Sequence, residues 1–239
     1  MKRFIPNTIT LCNLLSGVAG IVVLFGGSPE CALVMMLLAA VFDFLDGLVA
    51  RALGVSSELG KELDSLSDCV SFGVLPSLML MQTGLSVAPE GCEWVCYSAL
   101  AVAAFSALRL GMFNIDTRQC SSFIGLATPA SAILTASFCV FAQSLGEGAI
   151  LGFIAAGIWV IPAITALICF LLVCEIPMFS MKFKKDTPKK TRIERAVFFG
   201  LAAVFAIVCI VSGLHYSFIL MTAFASYIVI NCIAVFFKD

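Results

Sequence analysis

Residues 42–68 read FDFLDGLVARALGVSSELGKELDSLSD and place four aspartates, Asp43, Asp46, Asp64 and Asp68, in a chain that is apolar almost throughout. Of its 239 residues 61% are hydrophobic and 12% charged, and the mean hydropathy is +1.09. Such values lie far above those of a soluble domain of ordinary composition, so the sequence reads as an all-α, polytopic integral membrane protein. A bilayer span takes about 20 mostly apolar residues. Gly, Pro and charge punctuation divides the chain into about eight: 9–26, 31–52, 65–84, 95–114, 124–144, 150–173, 197–213 and 215–236. In the third, Pro76 can kink or end the helix.

An aspartate near the centre of a membrane helix costs about 2.5–3.5 kcal/mol, so four unpartnered ones would together cost on the order of 10 kcal/mol. Something must offset that. At 100° per residue Asp43, Asp46, Gly47 and Ala50 share one helix face, and on the next helix Gly60, Asp64, Ser67, Asp68 and Ser71 share another. A short connection makes the two helices antiparallel neighbours, which lets the faces meet. Arg51 and Lys61 are too few to neutralise four carboxylates. Crowded carboxylates must share protons or hold cations, and oxygen-only ligands suit Mg²⁺ or Mn²⁺. Because Mg²⁺ held this way completes its shell with substrate phosphate oxygens, a phosphoanhydride at the membrane surface is the implied substrate. A divalent-cation or proton transporter would also use intramembrane acids, but a conduit should leave acids at several depths, and these lie at one end of two adjacent helices.

The formal charge of −1 hides an asymmetry among the fourteen Lys and Arg. Lys2 and Arg3 precede the first span, Arg51 and Lys61 flank the second connection, Arg118 lies in the fourth, and seven crowd the sixth from Lys182 to Arg195. The odd-numbered connections carry Glu30, Glu90, Glu93, Glu147 and His215 without Lys or Arg. Both termini and the even-numbered connections are therefore expected in the cytoplasm. This parity requires an even number of spans, eight or, with two interfacial helices, six.

Polar residues from Pro6 to Asn13 interrupt the first apolar run, so a retained helix is expected there rather than a signal peptide. Eleven cysteines without C-x-x-C or a Cys/His cluster give neither a disulfide framework nor a zinc site. Cys92 and Cys96 are the one candidate pair, and small buried apolar side chains the simpler reading. A single membrane domain is expected, with a core over 1–175, a basic loop at 181–195 broken by Pro188, and additional helices over 196–239. The loop reads as a topology determinant that touches anionic headgroups.

Written as a pattern, the opening stretch is D-x2-D-G-x2-A-R-x8-G-x3-D-x3-D, carried by Asp43, Asp46, Gly47, Ala50, Arg51, Gly60, Asp64 and Asp68. It resembles the signature of the CDP-alcohol phosphotransferases, integral membrane enzymes that move a phosphoalcohol from a CDP-linked donor to a hydroxyl. The resemblance implies that Asp43, Asp46, Asp64 and Asp68 hold Mg²⁺ or Mn²⁺, two ions in all, against the CDP diphosphate, with Asp68 also the general base. It places Gly47, Ala50, Arg51, Ser57 and Gly60 at the donor. The opening PNTITLCNLLSG is similar to family openings beside the cytidine pocket and adds Asn7, Thr10 and Asn13 to the donor-binding set.

Three further stretches, SFGVLPS (71–77), FSALRLGMFNID (105–116) and FIGLATPASA (123–132), resemble the phosphatidylserine synthase branch, with Ala127-Thr128 where many relatives have proline. The expected reaction is CDP-diacylglycerol plus L-serine giving phosphatidylserine and CMP, by direct attack. Glycerol phosphate or inositol phosphate are the alternative acceptors. Arg109, an arginine inside a span, is the candidate for the serine carboxylate, or else pairs with an aspartate. Asn114 and Arg118 would line the acceptor's entry. Membrane lipids and a second copy of the chain are the expected partners, and nucleic acid is not. The resemblance also implies a prokaryotic plasma membrane with the active site facing the cytoplasm.

Overall fold

The computed structural model of the chain describes residues 4–55, 57–115, 123–146, 152, 157, 159–178 and 189–236. The apolar runs form helices in all eight expected places. α1 (Phe4–Phe25) and α2 (Pro29–Leu53) form a hairpin closed by Gly27 at φ +84°. α3 (Glu58–Asp68), a π-helical turn (Cys69–Val74) and α4 (Leu75–Leu85) run on as one 28-residue helix. A 3₁₀ segment (Glu93–Leu100) leads into α5 (Ala101–Ile115), followed by α6 (Thr128–Ser144), α7 (Val160–Val173), α8 (Lys189–Ser212) and α9 (Ser217–Phe236). Among the described residues six helices are long and apolar enough to cross a membrane, while α6 has 17 residues and α7 has 14.

Pro76 neither ends nor breaks the third span. A proline inside a helix lacks a donor and presses on the preceding turn. Here the widened turn lies just before it, and Leu75 N–H reaches back five residues to Val70 O. The basic stretch also turns helical sooner than expected, because α8 begins at Lys189, directly after Pro188. Residues 181–188 lie outside the described set.

Small residues let the helices close up around a buried cluster that includes Leu33, Met36, Phe72, Leu75, Met79, Ala132 and Ala136. A Cβ on Gly17 would stand 2.3 Å from Ser71 Oγ, and one on Gly20 would stand 2.6 Å from Leu75. α1 is thereby pressed against the π turn. Cys92 and Cys96 are free thiols, the latter buried.

A two-residue antiparallel pairing, Phe123–Ile124 with Pro177–Met178, ties the segment before α6 to the end of α7. Gly125 (φ +73°) lies against main-chain carbonyls there, and Leu126 N–H donates to Leu171 O at 2.9 Å. Leu126, Leu171 and Met178 make a second small core with Phe198 of α8 and Tyr227 of α9.

Candidate active site

The chain reversal between α2 and α3 decides what the aspartates face. α2 ends on Gly54 in the left-handed region (φ +63°), with its N–H bonded to Arg51 O and Val55 N–H to Ala50 O. Two residues later Ser57 caps α3 by accepting from Gly60 N–H at 3.0 Å. The acid-bearing faces of α2 and α3 are then opposed. Oxygens of Asp43, Asp64 and Asp68 lie within 4.8 Å of one another, and the Asp43 and Asp64 side chains touch.

Asp46 stands beside this trio with another partner, accepting from Thr10 Oγ1 at 2.6 Å. Asp68 Oδ1 accepts from Asn13 Nδ2 at 3.0 Å. Asp46 and Asp68 are 7% and 8% exposed, and Asp64 Oδ1 is buried without a hydrogen-bond partner among the described residues. Touching carboxylates repel unless a proton or cation lies between them, and a buried acceptor without a donor loses free energy of hydration. Both features fit a hard divalent cation, which takes oxygen ligands.

A cleft of about 260 Å³ opens beside the acids, lined by Asp46 and Asp64 and by Asn7, Thr10, Gly47, Ala50, Ser57 and Gly60 from the expected donor set. Gly47 leaves open space where a Cβ would project, whereas a Cβ on Gly60 would crowd Ser57 Oγ and Asn7 Oδ1 at 3.0 and 3.1 Å. Pro6, Val55 and Lys61 complete the lining. Lys61 escaped the sequence reading as a site residue, although its place beside Gly60 in the first turn of α3 was the signal. The cleft thus borders the α3 N-terminus, where free N–H groups and the helix dipole favour anions. Two residues of the expected donor set lie elsewhere: Arg51 is exposed on the last turn of α2, and Asn13 is fully buried one turn deeper along α1.

Arg109, 8% exposed, donates from Nη1 to Thr128 Oγ1 at 2.9 Å and lies 5.6 Å from the Phe113 ring centroid. Its Nε is buried without a hydrogen-bond partner among the described residues, and the guanidinium is within electrostatic reach of Asp68 and Tyr227. Thr128, the first residue of α6, was not among the site residues expected from the sequence. Asn114 donates to Ser65 Oγ at 2.8 Å and accepts from Lys61 Nζ at 3.0 Å through its carbonyl, linking α5 to α3. Arg118 lies outside the described residues.

The family model described as CDP-alcohol phosphatidyltransferase matches residues 3–167. Over 213 residues the chain is 32% identical to the CDP-diacylglycerol--serine O-phosphatidyltransferase of Mycobacterium leprae, covering 85% of this chain and 66% of that relative. It is 35% identical over 127 residues to the protein of the same name from Bacillus subtilis (53% and 70%). Identity is also 35% over 136 residues to the archaetidylserine synthase of Methanothermobacter thermautotrophicus (56% and 57%). The chain spans half to two thirds of the length of the mycobacterial relatives it matches.

Proposed function

The chain belongs to the CDP-alcohol phosphatidyltransferase family, and on that premise we propose that it transfers the phosphatidyl group of CDP-diacylglycerol to L-serine, giving phosphatidylserine and CMP. The observation that carries this reading is the convergence of Asp43, Asp64 and Asp68 within 4.8 Å, beside a cleft at the α3 N-terminus. The names of the similar proteins supply the serine acceptor.

Asp43, Asp64 and Asp68 would hold Mg²⁺ or Mn²⁺, with Asp46 adjoining. When bound, such ions offset the diphosphate charge and the charge that develops on departing CMP. Ser57, Gly60 and Lys61 receive the diphosphate at the helix N-terminus, and Asn7 and Thr10 face the nucleotide. Asp68 accepts the proton of the serine hydroxyl as its oxygen attacks the phosphorus bearing diacylglycerol and the bond to CMP breaks. Arg109, held by Thr128 and with an Nε–H to spare, pairs with the serine carboxylate. Serine separates its hydroxyl from its carboxylate by two carbons, so a base and a guanidinium within electrostatic reach of each other match it.

We also propose a sidedness. The cleft, the Gly54 cap of α2 and the α5 end bearing Asn114 lie at one end of the bundle, while the Glu30–His215 pair (3.0 Å) joins the turns at the other. We place the first end and both termini in the cytoplasm of a prokaryotic cell, and the protein in the plasma membrane as a homodimer. Crosslinking in membranes tests the dimer.

The activity test is CMP release by purified protein given CDP-diacylglycerol, Mn²⁺ or Mg²⁺, and a panel of alcohols. Serine alone should release CMP rapidly. Release with glycerol phosphate or inositol phosphate but not serine would reassign the acceptor, and no release with any alcohol would refute the transferase reading.

A further inference from the structure

Asn13 and Thr10 sit three residues apart on one face of α1, yet they meet different surroundings. Thr10 lines the cleft and hydrogen-bonds Asp46. Asn13 is 0% exposed, absent from the cleft wall, and linked to the other acid-bearing helix twice. Its side-chain Nδ2 donates to Asp68 Oδ1 at 3.0 Å, and its main-chain oxygen accepts from Ser71 Oγ at 3.1 Å. These two contacts bracket the start of the π turn, with Asp68 as the last residue before it and Ser71 inside it. Wide turns of this kind occur often at functional sites.

The close approach has a steric cause. Gly17, one turn after Asn13, lies so near Ser71 that any Cβ there would overlap its hydroxyl, so α1 cannot drift from the π turn without losing both bonds. An aspartate carboxylate otherwise turns freely, since its terminal torsion is broad and roughly two-fold. An N–H from a fully buried amide, where no water competes, selects one orientation. Only the amide nitrogen can donate to a carboxylate oxygen, so the sense of the bond is fixed.

We propose that Asn13 is a positioning residue for the general base: its amide engages Oδ1 of Asp68 so that Oδ2 is presented to the acceptor hydroxyl, and it makes no contact with the donor. The inference rests on the reading of Asp68 as the base. It separates Asn13 from Thr10, which acts on the donor side, although the two share a helix face.

The test compares Asn13→Ala, Asn13→Ser, Asn13→Asp and Thr10→Val in kcat, in KM for CDP-diacylglycerol, and in the calorimetric affinity for CDP with Mn²⁺, which needs no turnover. Asn13→Ala should lower kcat by about 10- to 100-fold while the donor KM and CDP affinity stay within about two-fold. Asn13→Ser, which keeps a donor, should recover part of the loss, and Asn13→Asp, which offers an acceptor in its place, should recover none. Thr10→Val should show the converse, a raised donor KM. If Asn13→Ala cannot be purified folded, the Ser and Asp pair decides by the same ordering.

A raised donor KM or weakened CDP affinity in the Asn13 variants with kcat retained would overturn the proposal, as would unchanged kcat in all of them. Should the unaltered protein prefer another alcohol to serine, the variants are read with that alcohol and the inference stands or falls separately from the choice of acceptor. An unaltered protein that releases no CMP with any alcohol removes the base and this inference with it.

Discussion

Asp64 and Asp68 are one turn apart on the same helix face, but their partners differ, and the difference sorts their expected phenotypes. Asp64 touches Asp43 and keeps a buried oxygen without a donor, whereas Asp68 is held by Asn13. Asp68→Asn should therefore lower kcat by roughly 10²–10⁴-fold, the range of a lost general base, while CDP-diacylglycerol still binds because Asp43 and Asp64 remain to hold the ion. Asp43→Asn or Asp64→Asn should instead weaken Mn²⁺-dependent CDP binding, measured by calorimetry. Equal CDP affinity in all three variants would reverse the assignment. Arg109→Lys keeps the charge but loses the forked donor geometry, so the KM for serine should rise more than the KM for donor. The opposite pattern would make Arg109 a structural residue.

At the scale of elements, the joint between α1 and the π turn should be the least forgiving of added volume. Gly17→Ala forces α1 off Ser71, and overpacking of this kind costs about 1–3 kcal/mol, read as a lowered Tm in detergent. Ser57→Ala removes the α3 cap and should cost about 1 kcal/mol, together with a raised donor KM, because Ser57 also lines the cleft. The facing of α2 and α3 was legible in the sequence, because the spacing of Asp43, Asp46, Asp64 and Asp68 obeys the helical period and a short connection makes the two helices antiparallel neighbours; that α3 begins as early as Glu58 was not. The π turn was not legible, since CVSFGV carries no residue that demands five-residue hydrogen bonding. The spacing of Thr10 and Asn13 gave their shared face but not its partners: sequence periodicity says which residues point together, and only packing says at what. Thr128 was overlooked for a related reason, as it gains its role from a contact with Arg109 on another helix.

Across the whole molecule, the α8–α9 hairpin lies beyond the residues that the family model matches, yet it packs on Leu126, Leu171 and Met178. Phe198 and Tyr227 meet edge to face, with ring centroids 6.2 Å apart, and pack on Leu126, two residues before the threonine that holds Arg109. Tyr227→Ala, which removes the ring packed against Leu126 and Phe198, should raise the KM for serine more than the donor KM; an equal change in both would confine the hairpin to a structural role. The clasp at the opposite end, His215 with the half-exposed Glu30, is a surface pair worth at most about 1 kcal/mol. Glu30→Gln should therefore leave kcat unaltered. The central claim is that helices α2 and α3 unite their carboxylates to grip a divalent ion beside a lipid-linked nucleotide. Its most direct test is Mn²⁺ binding to the purified protein with CDP-diacylglycerol present, compared with Asp64→Asn. Saturable binding that weakens about ten-fold or more in the variant is the expected result, and identical binding in the two proteins, or none in either, would contradict it.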